Sequence, residues 1–333
     1  MLITFAKIYD KESLVIIKQN IRNIKFYYIL ICIGMIALYF LCQSIYMKYI
    51  LNSLNVKISL FKGIFYSMVE FFYSGITPSS TGGQPVQLYY MTKDNIPIRK
   101  SYITLILNTI YFKLVLVILG IIVLIFNNSY ILHSDFIYQL FFVLGFLVDV
   151  ALVIFGFLLL FRKSLIKNLY GKLFRLLNKF KIFKKLLVNM EPDTVMAKYN
   201  DEIIYIKTHT KTVFVTFIIT FIQRLLLFSI IYVIYRALGF NEYSYFNLLA
   251  IQVSVQLAIE VLPLPGGAGL SEGMLHSIFV TLFASKLADV GMLLTRTFTF
   301  YVPLMVSGVV IFIEYLVRKY KLRKLRIKGG YSE

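Results

Sequence analysis

The amino-acid sequence predicts an all-α fold: a polytopic integral membrane bundle with two inverted re-entrant hairpins made of broken helices. The 333 residues are 59% hydrophobic and 15% charged, with mean hydropathy +0.77, whereas about a quarter of the residues in soluble domains are charged. Five apolar runs are long enough to cross a membrane, because a spanning helix needs about 20 residues. Two further apolar runs are each interrupted by proline followed by Gly-Gly, and paired interruptions are typical of transporter binding sites.

These elements follow one another in a single predicted transmembrane domain covering 1–333. Two short spans in place of each hairpin are the alternative. Residues 1–25 carry basic side chains before the first apolar run and are predicted to form an amphipathic surface segment. The predicted spans are 26–47, 101–126, 136–161, 212–236 and 291–317, and the predicted hairpins are 61–91 and 245–284.

The distribution of charge predicts the orientation. The net charge is +19, and basic residues concentrate in the loop 162–211 and the tail 318–333, which the positive-inside rule places in the cytoplasm. The loop has the pattern of a basic amphipathic helix on the membrane surface, so anionic lipid explains its charge better than nucleic acid does. The first hairpin then enters from the cytoplasm and the second from outside. The same count puts 1–25 outside, unless an earlier helix is missing or the first hairpin crosses fully.

The two breaks are the candidate headgroup site. Each leads into a new helix, whose exposed N–H groups can hold an anion such as lipid phosphate. Neither is followed by Gly-Lys-Ser/Thr, so neither is a nucleotide-binding loop. The candidate residues are Thr77, Pro78, Gly82, Gly83 and Gln84 in the first break, and Pro263, Pro265, Gly266, Gly267 and Gly269 in the second.

Charged residues inside the apolar runs form a second candidate set. Lys113, Asp149 and Arg224 each lie near the middle of a predicted span, where a charge costs about 2.5–3.5 kcal/mol. They either pair structurally, Asp149 with Lys113 or Arg224, or line a polar route in which Arg224 contacts phosphate. Arg296 either snorkels to the surface or also binds phosphate.

Acidic residues flank both breaks. Glu272 begins the helix after the second break, where the helix dipole favours an acid and where a headgroup contact is the preferred interpretation. Glu70 and Glu260 precede the two breaks, and with Lys113 and Asp149 they are the candidates for a polar relay.

The remaining polar residue types predict no cofactor and no metal site. Cys32 and Cys42 share one apolar run, and the three histidines are scattered without metal-ligand spacing. Because the sequence shows no nucleotide-binding motif, we expect any transport to be driven by an ion gradient or to use no energy source.

The motifs resemble a known family. The stretches from Leu262 to Gly273 and from Thr77 to Gln87, together with Arg296 and Pro303 in the last span, resemble the lysylphosphatidylglycerol synthase/flippase transmembrane family over about residues 3–320. The resemblance implies a bacterial cytoplasmic-membrane protein connected with aminoacylated phosphatidylglycerol and resistance to cationic antibiotics. In two-domain members, a separate soluble domain transfers lysine from lysyl-tRNA to the lipid, and no such domain is recognisable here.

The sequence therefore predicts a lipid flippase that moves the headgroup of an aminoacylated-phosphatidylglycerol-like phospholipid between leaflets. A phosphatidylglycerol lysyltransferase and a non-catalytic membrane subunit recruiting a cytoplasmic protein through 162–211 are the alternatives, so enzymatic activity is left open. The expected partners are the membrane and an anionic phospholipid, with a second copy of the chain or a cytoplasmic protein as open alternatives.

Overall fold

A computed structural model describes residues 22, 24–126, 136–161, 208–260, 264–267, 269–282 and 285–328. Within these residues the fold is all-helical, which confirms the predicted class. Most of the predicted surface segment 1–25, most of the basic loop 162–211, the end of the tail and Pro263 lie outside the described residues. The α-helices, in chain order, are α1 Phe26–Ser53, α2 Leu60–Ile76, α3 Gly83–Lys93, α4 Ile98–Phe126, α5 Phe136–Phe161, α6 Thr210–Phe228, α7 Ile230–Ala237, α8 Tyr245–Ile259, α9 Leu270–Leu282, α10 Ser285–Arg296 and α11 Val302–Lys328.

Five helical stretches are long and apolar enough to cross a membrane, and each contains or nearly matches one predicted span. The largest differences are at the ends: α1 continues to Ser53, and the last stretch covers Leu287–Tyr320. The fourth stretch bends at Ser229, whose hydroxyl donates to the Leu225 carbonyl at 2.6 Å. Such back-bonding bends helices, so one predicted span is divided into α6 and α7.

The first broken element is a helical hairpin, with α2 packed on α3 around a short 3₁₀ turn, Pro78–Ser80. The hydroxyl of Ser59 caps α2 by accepting from the Lys62 amide at 3.3 Å. Helix α2 ends because Thr77 precedes proline and is therefore extended. Gly83 begins α3 so close to α2 that an added Cβ would lie 2.6 Å from the Glu70 carbonyl oxygen. A side chain there would force the two helices apart.

The second broken element contains α8, a 3₁₀ turn at Pro265–Gly267, and α9. Ser244 caps the start of α8 through the Asn247 amide at 3.3 Å. In the turn, Gly266 has φ +60° and an added Cβ would collide with the ring of Phe300. The left-handed backbone and the close ring both require glycine at this position.

The two breaks meet. The turn Pro78–Ser80 contacts the turn Pro265–Gly267. Phe300, in the π-helical segment Thr297–Tyr301 between α10 and α11, lies against both Gly75 and Gly266. The broken elements therefore close on a shared aromatic side chain in the last helical stretch.

Helix α2 of the first hairpin runs antiparallel to α11. Near the break, an added Cβ on Gly75 would lie 2.7 Å from Leu304, while at the open end Asp94 is 3.0 Å from the guanidinium of Arg318. The α11 partners are fourteen residues apart, or about 21 Å along a helix that rises about 1.5 Å per residue. The hairpin thus extends through most of the thickness of a bilayer core, which is about 30 Å.

The second broken element runs from the other end of the bundle. Phe246 at the start of α8 shares a cavity with Phe126 at the end of α4, whereas Glu260 after α8 pairs with Lys113. Helix α8 is therefore antiparallel to α4. The first hairpin has its open end beside the start of α4, since only the short segment after Asp94 separates them. The two open ends therefore lie at opposite ends of the bundle.

Asp94 fastens the open end of the first hairpin to α11. Its carboxylate accepts from the Tyr66 hydroxyl at 2.7 Å and from Arg318, with Lys62 at 3.6 Å. Burial would raise the pKa of Asp94, but the hydrogen bonds from Tyr66 and Arg318 and the neighbouring positive charges hold it below its ordinary value.

Candidate functional site

Polar side chains gather at the level of residues 108–113 of α4, close to the middle of that helix. We call this set, together with the Glu272–Arg296 ion pair at the second break, the central layer. Its members come from α1, α2, α4, α5, α6 and α10 and from both broken elements. The sequence-predicted site residues divide here into three groups: a closed ion pair at the second break, a buried ion triad, and an open cluster around Glu70 and Arg224.

The closed ion pair joins Glu272 to Arg296. The Arg296 Nε donates to the Glu272 carboxylate at 2.9 Å, and its Nη2 donates to the Gly266 carbonyl at 2.9 Å. The Tyr301 hydroxyl donates to the same carboxylate at 3.0 Å. Arg296 therefore does not snorkel to the surface. Its guanidinium ties the turn, α9 and the last helical stretch together and neutralises Glu272.

The amide donors at both breaks are partly occupied by local side chains. The Gly269 amide donates to Glu272 at 2.7 Å, and the Gly82 amide donates to the Thr77 hydroxyl at 2.9 Å. Gln84 donates its side-chain amide to Thr109 on α4. These contacts stabilise the breaks. As a result, fewer N–H groups are available to an anion than the sequence alone predicts.

The buried ion triad contains Lys113, Asp149 and Glu260. The Lys113 ammonium is 2.8 Å from Asp149 on α5 and also pairs with Glu260 at the end of α8. The Asp149 side chain is fully buried, and the other two are 14% and 12% exposed. The sequence left open whether Asp149 pairs with Lys113 or Arg224, and the structure pairs it with Lys113.

Arg224 has no ion pair within the described part of the chain. Its guanidinium carbon lies 3.7 Å from the centre of the Phe112 ring, and its Nη1 donates to the Tyr39 hydroxyl at 3.3 Å. Its Nε is buried and has no hydrogen-bond partner among the residues that the structure describes. Aromatic faces attract a cation but leave its charge uncompensated, so Arg224 retains the capacity to bind an anion.

Glu70 lies on the other side of the same cluster. Its carboxylate accepts from the side-chain amides of Gln43 at 3.1 Å and Asn108 at 3.2 Å. The carbonyl oxygens of these two amides are buried and without partners among the described residues. Glu70 was predicted from the sequence, whereas Gln43 and Asn108 were not, although polar residues inside apolar spans are a signal that could have identified them.

The fold and the central layer define a class: a multi-pass α-helical membrane protein with two broken elements meeting beside buried charges. A family model described as the lysylphosphatidylglycerol synthase TM region matches residues 1–307. The chain therefore belongs to that family, which confirms the resemblance predicted from the break motifs. A relative from Archaeoglobus fulgidus, described as a UPF0104 membrane protein, is 23% identical over 272 residues and covers 79% of each chain.

Proposed function

We propose that this protein is a lipid flippase that moves the headgroup of an anionic phospholipid between leaflets. The supporting observation has two parts: the turns of two broken elements with open ends at opposite ends of the bundle meet, and the central layer, to which both elements contribute, holds Arg224, a cation with no ion pair among the described residues. Breaks of this kind at mid-membrane mark the substrate sites of transporters. Non-helical backbone at that depth needs protein or a water-filled cavity around it.

In this proposal Arg224 binds the phosphate. A guanidinium matches phosphate with two parallel hydrogen bonds, and the aromatic rings of Phe112 and Tyr39 hold it without supplying a competing carboxylate contact. The lipid tails remain in the bilayer while the headgroup passes the central layer. The Glu272–Arg296 pair is neutral overall and holds the second break together. Arg224 is therefore the cation left for the substrate.

The orientation and location are part of the proposal. The Asp94–Arg318 contact marks one end of the bundle, and the basic residues beyond Arg318 favour the cytoplasmic side for that end by the positive-inside rule. The first hairpin then opens to the cytoplasm and the second to the outside, in a bacterial cytoplasmic membrane.

Purified protein in liposomes carrying fluorescent phosphatidylglycerol tests the proposal, with a membrane-impermeant quencher reporting which leaflet holds the label. We expect the wild type to exchange lipid between leaflets much faster than empty liposomes. Arg224→Ala should lose most of this activity, while Arg236→Ala should retain it, since Arg236 lies at the end of α7, away from the central layer.

Unchanged exchange by Arg224→Ala would show that the phosphate site is elsewhere. If the wild-type protein exchanged neither anionic nor net-neutral phospholipids between leaflets, the flippase proposal would be refuted. Cysteine-accessibility mapping in the same liposomes gives an independent check, because both breaks should be shielded from bulk solvent and the two open ends should label from opposite sides.

A further inference from the structure

The central layer carries an unequal number of acids and cations. Within the described residues it holds one more carboxylate than cation. Three of the carboxylates already contact a bonded cation, and Glu70 contacts only amides. The acids are Glu70, Asp149, Glu260 and Glu272, and the cations are Lys113, Arg224 and Arg296.

An ionised Glu70 is costly at this depth. Glu70 is partly exposed within the bundle, but at membrane depth a charge still needs an opposite charge and hydrogen bonds to offset its desolvation. Among the described residues, Glu70 receives hydrogen bonds from Gln43 and Asn108. Both amides are 2% exposed, and each retains a buried carbonyl oxygen that has no partner in the part of the chain that the structure describes. Rotation of either amide would present that oxygen to a protonated Glu70, whose O–H would then donate to it. The surroundings accommodate both protonation states.

We propose that Glu70 is a proton-binding site whose occupancy is linked to phosphate binding at Arg224. This inference rests on the proposed function and identifies the ion that accompanies the lipid. An ionised Glu70 attracts the Arg224 guanidinium electrostatically and competes with phosphate for its charge. Proton uptake by the carboxylate removes that competition, so the phosphate and the proton bind together.

Other groups packed against Glu70 do not replace it in this role. On α1 it faces Tyr39, Tyr46 and Gln43. On α4 it faces Asn108, and on α6 it faces Arg224. Helix α3 approaches through Gly83, and its titratable residues lie toward its far end. The acid and base of α11 that pair at the first hairpin lie at its Asp94 end, where Lys62, about 12 Å along α2 from Glu70, also contacts Asp94.

The linkage between proton binding and phosphate binding predicts how strongly the lipid affinity depends on pH. If one proton must bind Glu70 for phosphate to bind well, the affinity for phosphatidylglycerol falls about tenfold per pH unit above the titration of Glu70. By the reciprocity of linked binding, lipid binding must then draw in about one proton in the same pH range. Both effects should disappear in Glu70→Gln, which mimics the neutral carboxyl group and keeps its shape.

The test uses the full chain in nanodiscs of phosphatidylcholine, titrated with dihexanoyl-phosphatidylglycerol in weak buffer containing a pH indicator. We expect proton uptake and pH-dependent affinity in the wild type. Glu70→Gln should show neither effect but should bind as tightly as the wild type at low pH. The control Asp94→Asn removes a carboxylate outside the central layer and should behave as the wild type.

The wild-type titration alone can refute the inference. Binding without proton uptake, at an affinity that is constant between about pH 5 and pH 9, would overturn the linkage to Glu70 and leave the flippase proposal intact. Uptake that persists in Glu70→Gln would place the proton on another group and equally overturn it. No measurable binding of phosphatidylglycerol at any pH would overturn both proposals.

Discussion

Removing Arg296 should destabilise the protein because the second break closes on this side chain. Its guanidinium makes a charge-assisted hydrogen bond to Glu272 and another to the Gly266 carbonyl, both at 2.9 Å. The side chains of Arg296 and Glu272 are 8% and 13% exposed. Breaking a buried ion pair by removing one partner costs about 3–5 kcal/mol, because the other charge stays buried without compensation.

The expected cost of Arg296→Ala is near the lower end of that range. The Glu272 carboxylate keeps hydrogen bonds from Tyr301, from Ser271 and from the Gly269 amide. We therefore expect a loss of about 3 kcal/mol in the free energy of unfolding. Arg296→Lys keeps the charge but cannot donate to two acceptors in fixed geometry, so its loss should be roughly half as large.

Reversible unfolding in mixed micelles provides the assay, with a double-mutant cycle between Arg296→Ala and Glu272→Ala. A direct interaction predicts that the double variant is less destabilised than the sum of the two single variants, by about 2 kcal/mol. Additive losses would show that the pair does not interact. A loss below about 0.5 kcal/mol for Arg296→Ala would refute the assignment of Arg296 as the residue that closes the break.

Three further variants probe other parts of the bundle. Gly266→Ala adds a collision with Phe300 to left-handed backbone strain, so the free energy of unfolding should fall by about 2–5 kcal/mol. The control Gly239→Ala lies at positive φ in open space and should lose only about 1–2 kcal/mol in the same unfolding assay. Lys113→Met leaves two buried carboxylates without their cation, so the free energy of unfolding should fall by about 3–5 kcal/mol near neutral pH. The loss should be smaller at acidic pH, where the carboxylates become protonated. A loss independent of pH would contradict this. The folded-state pKa of Asp94 lies below its ordinary value of 3.8, so its contribution to stability is complete above that value and declines as the pH falls through and below it. Asp94→Asn should therefore flatten the acid limb of a stability–pH curve, and an unchanged limb would contradict the contact.

The spans and the two breaks could be predicted from the sequence because their signals are local. A run of about 20 apolar residues has few alternatives to a membrane helix, and proline followed by glycines interrupts a helix wherever it occurs. The prediction of five spans is confirmed to within a few residues at most ends. The bend at Ser229 was missed because a serine inside an apolar run looks like any other polar substitution.

The partners of the central charges could not be predicted in the same way. Glu272 lies at the start of α9 and Arg296 at the end of α10, 24 residues later, and Lys113 meets Asp149 and Glu260 from distant parts of the chain. Which acid reaches which base depends on how the helices cross, and that is set by packing over their whole length. Among the described residues, the same packing leaves Arg224 without a bonded carboxylate.

Composition, apolar run length and the paired proline–glycine motifs by themselves determined that this chain is a multi-pass helical membrane protein with two interrupted elements, since lipid cannot satisfy exposed backbone and so restricts what can cross it. The tertiary structure alone decided that the interruptions meet on Phe300 and which charges they enclose. Those contacts join residues far apart in sequence, and only close packing of the helices brings the side chains within hydrogen-bonding distance.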